Sequence, residues 1–456
     1  MSRTATLTTG PVGPGLLRMA GPMLAGMIAI MAFNLVDTFF LGRFSTDALT
    51  AISFTFPVVM SLASLALGLG MGTSAVISNA IGEGDHQGVQ RLTTDALILS
   101  FVIVVVVAAA GMFTVRPLFA AMGAKGEILD LVVRYMRIWY LTIGVLVIPM
   151  VGNSAIRATG DTRTPAMIMG IAALTNVIAD PILIFGWGPV PRMGIEGAAI
   201  ATALARATSL TAAIYVLGVR KKMLSRRGMT LSTMLASSRR ILHVGLPAAA
   251  TRMVMPLGMG VIIRLVAQFG PAAVAAYGVG TRVGMFAFAV IMALGASLVP
   301  FIGQNLGARR LDRVHDAAWF SVKFGMGYGL LTWVVFLIFA RPIAALFNGH
   351  EGFQEATVLF FRIAPVGAVF SAAAAMASTV LNGMLKPLRA ASLSVLQIFV
   401  LTIPLSILGA RVAGLAGVFW AGVVANIVTA GVGLFVMSRA MKQEQLIAPV
   451  ALEQPL

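Results

Sequence analysis

The chain has 456 residues, 59% of them hydrophobic and only 11% charged, with a mean hydropathy of +0.94. A water-soluble protein of this size cannot bury so much apolar surface, so the bilayer has to serve as solvent. The net charge of +17 does not point to nucleic acid: Arg220, Lys221, Lys222, Arg226, Arg227, Arg239 and Arg240 crowd one stretch between apolar segments, with no interleaved aromatics.

The N-terminal stretch MSRTATLTTGPVGPG lacks the apolar core and small-residue cleavage site of a signal peptide, so none is expected to be removed. Apolar runs long enough to cross a bilayer follow at roughly 14–42, 48–80, 92–115, 127–151, 164–188 and 195–218. The basic stretch at 219–238 then reads as a cytoplasmic loop, able to meet anionic lipid headgroups. Six more runs fall at roughly 239–269, 273–305, 314–340, 354–381, 388–410 and 414–438. None shows the alternating ten-residue pattern of a barrel strand, so all should be helices. With both termini inside, nineteen lysines and arginines fall in inner segments and six in outer loops, which sets the orientation.

Sliding the chain against itself by 225 positions superposes Pro22 on Pro247, Phe44 on Phe269, Gly82 on Gly307 and Arg137-Ile138 on Arg362-Ile363. After small gaps Pro181 meets Pro404, while Gly194 and Gly197 meet Gly414 and Gly417. Each half holds an even number of spans, so the halves are parallel repeats. The expected fold is therefore an all-α integral membrane protein of twelve transmembrane helices. They form two parallel six-helix bundles about a pseudo-two-fold axis along the membrane normal, V-shaped around a central cleft. The expected boundaries are 1–218 for the first bundle, 219–238 for the loop and 239–456 for the second bundle with a short tail.

The repeat also separates scaffold from chemistry. Two acids, Asp37 and Asp180, stand out as lying well inside long apolar segments, where an ionised carboxylate costs on the order of 2.5–3.5 kcal/mol. Asp37 and Asn34 fall on Ile262 and Met259, and Asp180 and Asn176 fall on Ile403 and Phe399, so only the first bundle carries these polar groups. Asn34 and Asp37 share one helical face and Asn176 and Asp180 another. Each Asp lies fifteen residues past a proline, Pro22 or Pro165, that marks the inner end of its helix. Both carboxylates should then sit at one depth, roughly 22 Å along. Pro181 frees the Val177 carbonyl beside Asp180. Such a group suits a proton shared between acids, or a sodium ion, and Pro22 and Pro181 are candidate hinge points.

The runs Asn176-x-x-x-Asp180-Pro181-x-x-Ile184-Phe185-Gly186, Asn34-x-x-Asp37 and Gly-Ile-Glu-Gly-Ala-Ala-Ile-Ala-Thr at 194–202 together resemble the multidrug and toxic compound extrusion (MATE) antiporters, over essentially the whole chain. Acids confined to the first bundle resemble the DinF-type branch. The resemblance implies a cation-linked site at Asp37, Asn176, Asp180 and Thr202, able to take Na+ or H+, with Asn34 close by. It further implies a bend at Pro22, Tyr135 near the site, and Asn153, Met169, Met27 and Met60 along the substrate cavity.

The expected function is export of amphipathic, often cationic compounds in exchange for inward H+ or Na+, by a monomer in the inner membrane of a prokaryote. A lipid-linked precursor flippase or an exporter of an endogenous metabolite is the alternative, and Arg264 or Arg282 facing the cleft would favour the flippase. An enzyme is not expected. No catalytic motif stands out, there are no cysteines, the four histidines lack metal spacing, and no cofactor is implied. Gly68-x-Gly70-x-Gly72 lies inside an apolar run with no following Lys-Ser/Thr, so it is helix packing rather than a phosphate loop.

Overall fold

The structure, a computed structural model, describes residues 5–44, 46–187, 190–225, 229–347 and 351–450, with the side chains at 34, 35, 37–39, 41–44, 46–49, 257 and 447–450 outside the described residues. Among the described residues every element is helical. They are α1 (Val12–Phe44), α2 (Thr46–Gly82), α3 (His86–Ala121), α4 (Gly126–Ala158), α5 (Arg163–Phe185) and α6 (Gly194–Tyr215), then α7 (Leu231–Val266), α8 (Pro271–Gly307), α9 (Leu311–Leu346), α10 (Glu351–Gly383), α11 (Pro387–Val395) and α12 (Ile403–Val450). Val216–Arg220 and Leu396–Thr402 are π-helical.

Among the described residues, eleven helical stretches are long and apolar enough to cross a membrane. The last, Pro387–Leu446, spans 60 residues and breaks at Ala413 and Gly414, where the dihedrals leave the helical region, so it makes two crossings. Twelve crossing segments result.

The repeat is visible element by element. Thr46–Gly82, His86–Ala121 and Gly126–Ala158 are followed 225 positions later by Pro271–Gly307, Leu311–Leu346 and Glu351–Gly383, matching end for end. Gly194 and Gly414, paired in the sequence, have φ of 58° and 59°. Only glycine adopts this region at little cost, and each opens the last helix of its half.

The chain divides into two compact units, residues 1–6 with 21–246 and residues 7–20 with 247–456. The sequence reading drew the boundary in the basic loop instead. The division falls inside two helices, just before Pro22 in α1 and at Pro247 in α7, which are repeat-equivalent positions. In the second unit, Leu16 joins a core with Leu298, Phe301 and Ala377. In the first, Ile241, which is Leu16 shifted by 225, joins one with Leu69, Ala96 and Val151. The exchange rests on contacts far apart in sequence, which local patterning does not reveal. The basic loop is also shorter than expected. Thr230 starts α7 early, its Oγ1 accepting from the Thr233 backbone N–H at 3.3 Å, as a helix N-cap does.

Within the second unit the segment before α1 is held by Arg313, which is only 8% exposed. Its guanidinium donates to the carbonyls of Gly10 at 2.7 Å and of Leu7 and Thr9 at 3.1 Å, and its Nε donates to Asn305 Oδ1 at 2.9 Å.

Candidate functional site in the first unit

Three helices of the first unit, α1, α5 and α6, meet at the outer part of α5. Asn176 and Asp180 are both fully buried there, one helical turn apart, and the Asn176 amide donates to Asp180 Oδ1 at 3.4 Å. Asn176 Oδ1 is buried with no hydrogen-bond partner among the described residues, so an acceptor remains open beside the carboxylate.

Helix α1 runs along α5 and touches it at two levels. Gly26 lies against Ala166 and the Met169 sulfur, where an added Cβ would come within 3.1 Å of the Ala166 Cα. Farther along, the rings of Phe40 and Phe185 meet edge to face at 6.1 Å. Position 37 of α1 and position 180 of α5 both fall between these contacts. The side chains of Asn34 and Asp37 lie outside the described residues.

Helix α6 completes the group. Thr202 is half-buried on it, and Arg206, one turn on, places its guanidinium over the Phe33 ring at 5.7 Å. Phe33 precedes Asp37 by one turn of α1, so a fixed cation stands about a turn from that position. Sequence position alone does not place the Arg206 side chain; the ring contact shows where it goes. Tyr135 is half-buried on α4, next to Arg134, whose side chain reaches Glu196 of α6 at 3.6 Å.

The remaining residues expected at the site are dispersed. Met169 is half-buried at the α1–α5 contact and Met27 half-buried on α1, while Met60 is 40% exposed on α2. Asn153 sits near the opposite end of α4, 8% exposed, away from Asn176 and Asp180. Pro22 and Pro181 both lie within continuous helix.

One acid was missed. Asp95 is 1% exposed on α3, inside a crossing segment, so Asp37 and Asp180 are not alone there. The expected span began only at 92, which left Asp95 looking like a membrane-edge residue beside Arg91, Thr93 and Thr94.

Comparison with known proteins follows the same repeat. The MatE family model matches twice, over residues 22–182 and 247–408, with starting points 225 positions apart. The chain belongs to the MatE family. It is thus a multi-pass membrane transporter, and its relatives in this family are not enzymes. The FAD transporter of Shewanella oneidensis is 38% identical over 92% of this chain and 93% of its own length. The multidrug export protein MepA of Staphylococcus aureus is 25% identical over 91% of each. Among solved structures, the Vibrio cholerae MATE transporter VcmN in its bent form superposes with a TM-score of 0.90 at 29% identity, over 95% of this chain and 98% of that one.

Proposed function

We propose that this MatE protein is a secondary transporter that exports an amphipathic organic substrate in exchange for inward H+ or Na+. The ion occupies a site formed by Asp37, Asn176, Asp180 and Thr202, with Asn34 and Tyr135 beside it. The observation that carries this reading is the burial of Asp180 and Asn176 in a helix junction whose repeat counterpart holds Ile403 and Phe399. A carboxylate placed there without need would be a pure cost. Neutralising it with a cation changes the local free energy enough to favour one conformation of α1, with Pro22 as the bending point. Export is toward the face opposite the basic loop, with both termini cytoplasmic.

The substrate favoured is a flavin dinucleotide or a similar aromatic phosphate. The relative with 38% identity transports FAD, and three arginines in the apolar spans of the second unit, Arg252, Arg264 and Arg282, make no ion pair among the described residues. Guanidinium groups left unpaired within such spans match a phosphate, whereas they oppose a cationic drug. Cationic drugs are the second reading, supported by the relatives at about 25% identity.

The test is uptake by inside-out membrane vesicles carrying the full chain, comparing FAD with ethidium under an imposed proton or sodium gradient. Gradient-dependent FAD uptake that falls at least tenfold in Arg264→Ala or Arg282→Ala supports the dinucleotide. Ethidium uptake without FAD uptake overturns it in favour of drugs.

A further inference from the structure

Away from the α1–α5–α6 junction, the first unit buries a second set of oxygens. Asp95 is 1% exposed, and neither carboxylate oxygen has a hydrogen-bond partner among the described residues. The same holds for Thr73 Oγ1 and Ser74 Oγ on α2 and for Asn153 Oδ1 on α4, in residues that are 0%, 3% and 8% exposed.

These groups share one depth. Helices α2 and α3 are joined by a turn at 83–85, so Thr73, nine residues before α2 ends, and Asp95, nine after α3 begins, both lie roughly 14 Å from it. Leu69, Ala96, Val151 and Ile241 form a common core at that level. Gly70 of α2 abuts Ser154, and Gly152 abuts Leu97 of α3, so residues 152–154 of α4 bridge the two. Gly72 lies directly against the Ile241 carbonyl of α7, which covers the remaining side.

The repeat shows that packing does not require the oxygens of Asp95, Thr73 and Ser74. Shifted by 225, Asp95 becomes Phe320, Thr73 becomes Leu298 and Ser74 becomes Val299, and Leu298 and Val299 are 0% and 4% exposed. The second unit fills the places of Asp95, Thr73 and Ser74 with hydrocarbon, whereas Asn153 becomes Ser378, so the α4 position stays polar in both halves. A buried carboxylate without donors is costly as an anion, whereas a small bound cation neutralises it and engages the neighbouring oxygens together.

We propose that Asp95, with the Thr73 and Ser74 hydroxyls and the Asn153 amide oxygen, forms a second monovalent-cation site, for Na+ or H+, at the end of the first unit that carries the basic loop. The charged groups at this end of the elements packed here are the exposed Glu83, Asp85 and His86 at the α2–α3 turn, Arg91 on α3, Arg157 on α4, Arg220 after α6, and the exposed Arg239, Arg240 and His243 on α7. The Nε of Arg91 is itself without a hydrogen-bond partner among the described residues, and Arg157 donates to Ser154 Oγ at 2.6 Å. None pairs with Asp95 among the described residues, so the carboxylate is left for the cation. The site does not depend on the coupling role given above to Asp37 and Asp180.

The experiment measures the melting temperature of the purified full chain in lipid nanodiscs, in an Asp37→Asn/Asp180→Asn background. Sodium is added at pH 8 against choline at constant ionic strength, and separately the pH is lowered from 8 to 6 without sodium. The expected result is a rise of several degrees in at least one arm that disappears on adding Asp95→Asn. Loss in the sodium arm identifies Na+, and loss in the pH arm identifies H+. Equal responses with and without Asp95 overturn the proposal, as does the absence of any response in the background protein. Should the Asp95→Asn protein fail to fold, Thr73→Val/Ser74→Ala decides: a response at full size overturns the proposal and a diminished one supports it. Transport that survives in the Asp37→Asn/Asp180→Asn protein would sink the coupling role alone and leave this outcome intact.

Discussion

At the scale of single residues, charge placement decides most of what this chain does. Asp161, in the turn between α4 and α5, pairs with Lys221 at 3.0 Å and accepts from the Thr164 backbone at 3.0 Å and its hydroxyl at 2.7 Å. Burial pushes the Asp161 carboxyl up, but the Thr164 bonds and Lys221 together outweigh it and hold the pKa below the usual carboxylate value. A depressed native pKa means that the stabilisation is present above the unfolded value of about 4 and is lost as pH falls through the native one. Asp161→Asn should therefore lower the melting temperature by a few degrees at pH 6, and the gap to the parent protein should narrow as the pH falls below about 4. Arg206 offers a second test at this scale. Arg206→Gln removes the cation over Phe33 and should reduce transport at least tenfold, with Arg206→Lys recovering part of it if charge matters more than the planar stack. Asn176 and Asp180 were legible in the sequence because the repeat supplies an internal control. Asp95 was not, because a lone acid near a span edge looks the same whether it faces headgroups or a packed interior, and Arg206 was not, because nothing in a mid-span arginine's sequence position names the ring its side chain reaches.

At the scale of elements, the helices follow from apolar length and turn chemistry, and the positions that matter are those where backbones meet. Gly194 and Gly414 turn the chain into the last helix of each half with φ near 60°. Gly194→Val or Gly414→Val forces a branched side chain into that region, and each should cost about 1–2 kcal/mol, read as a lower melting temperature. The paired φ values also show why the repeat was readable here: an identical backbone demand leaves an identical glycine. Gly72 sits against the α7 main chain at Ile241, so Gly72→Leu should displace that end of α7 and destabilise the protein further than either turn variant. The early start of α7 was not legible, because the sequence reading took 219–238 as loop and the Thr230 cap is a contact of only a few atoms.

At the scale of the whole molecule, two units share one architecture and differ in polarity. The repeat-equivalent turns carry reversed ion pairs, Asp161 with Lys221 in the first unit and Lys386 with Glu444, at 2.7 Å, in the second. Asp161 and Lys386 are 225 positions apart, so the architecture keeps a pair at this turn while the sign is free. Twelve spans and their duplication could be read from hydropathy and the constant offset. The exchange of residues 7–20 into the second unit could not, since it depends on Arg313 reaching main-chain oxygens about 300 positions away in sequence. Arg313→Ala leaves those carbonyls without their donor, and protease cleavage near residues 7–10 should become at least tenfold faster than in the parent chain. The central claim is that a carboxylate in the first unit couples cation entry to substrate export. The direct measurement is cation flux in proteoliposomes driven by an opposing substrate gradient, for the parent protein and for Asp180→Asn. The account predicts substrate-driven proton or sodium movement in the parent and none in Asp180→Asn, with folding and substrate binding retained. Equal cation flux in the two proteins would contradict it.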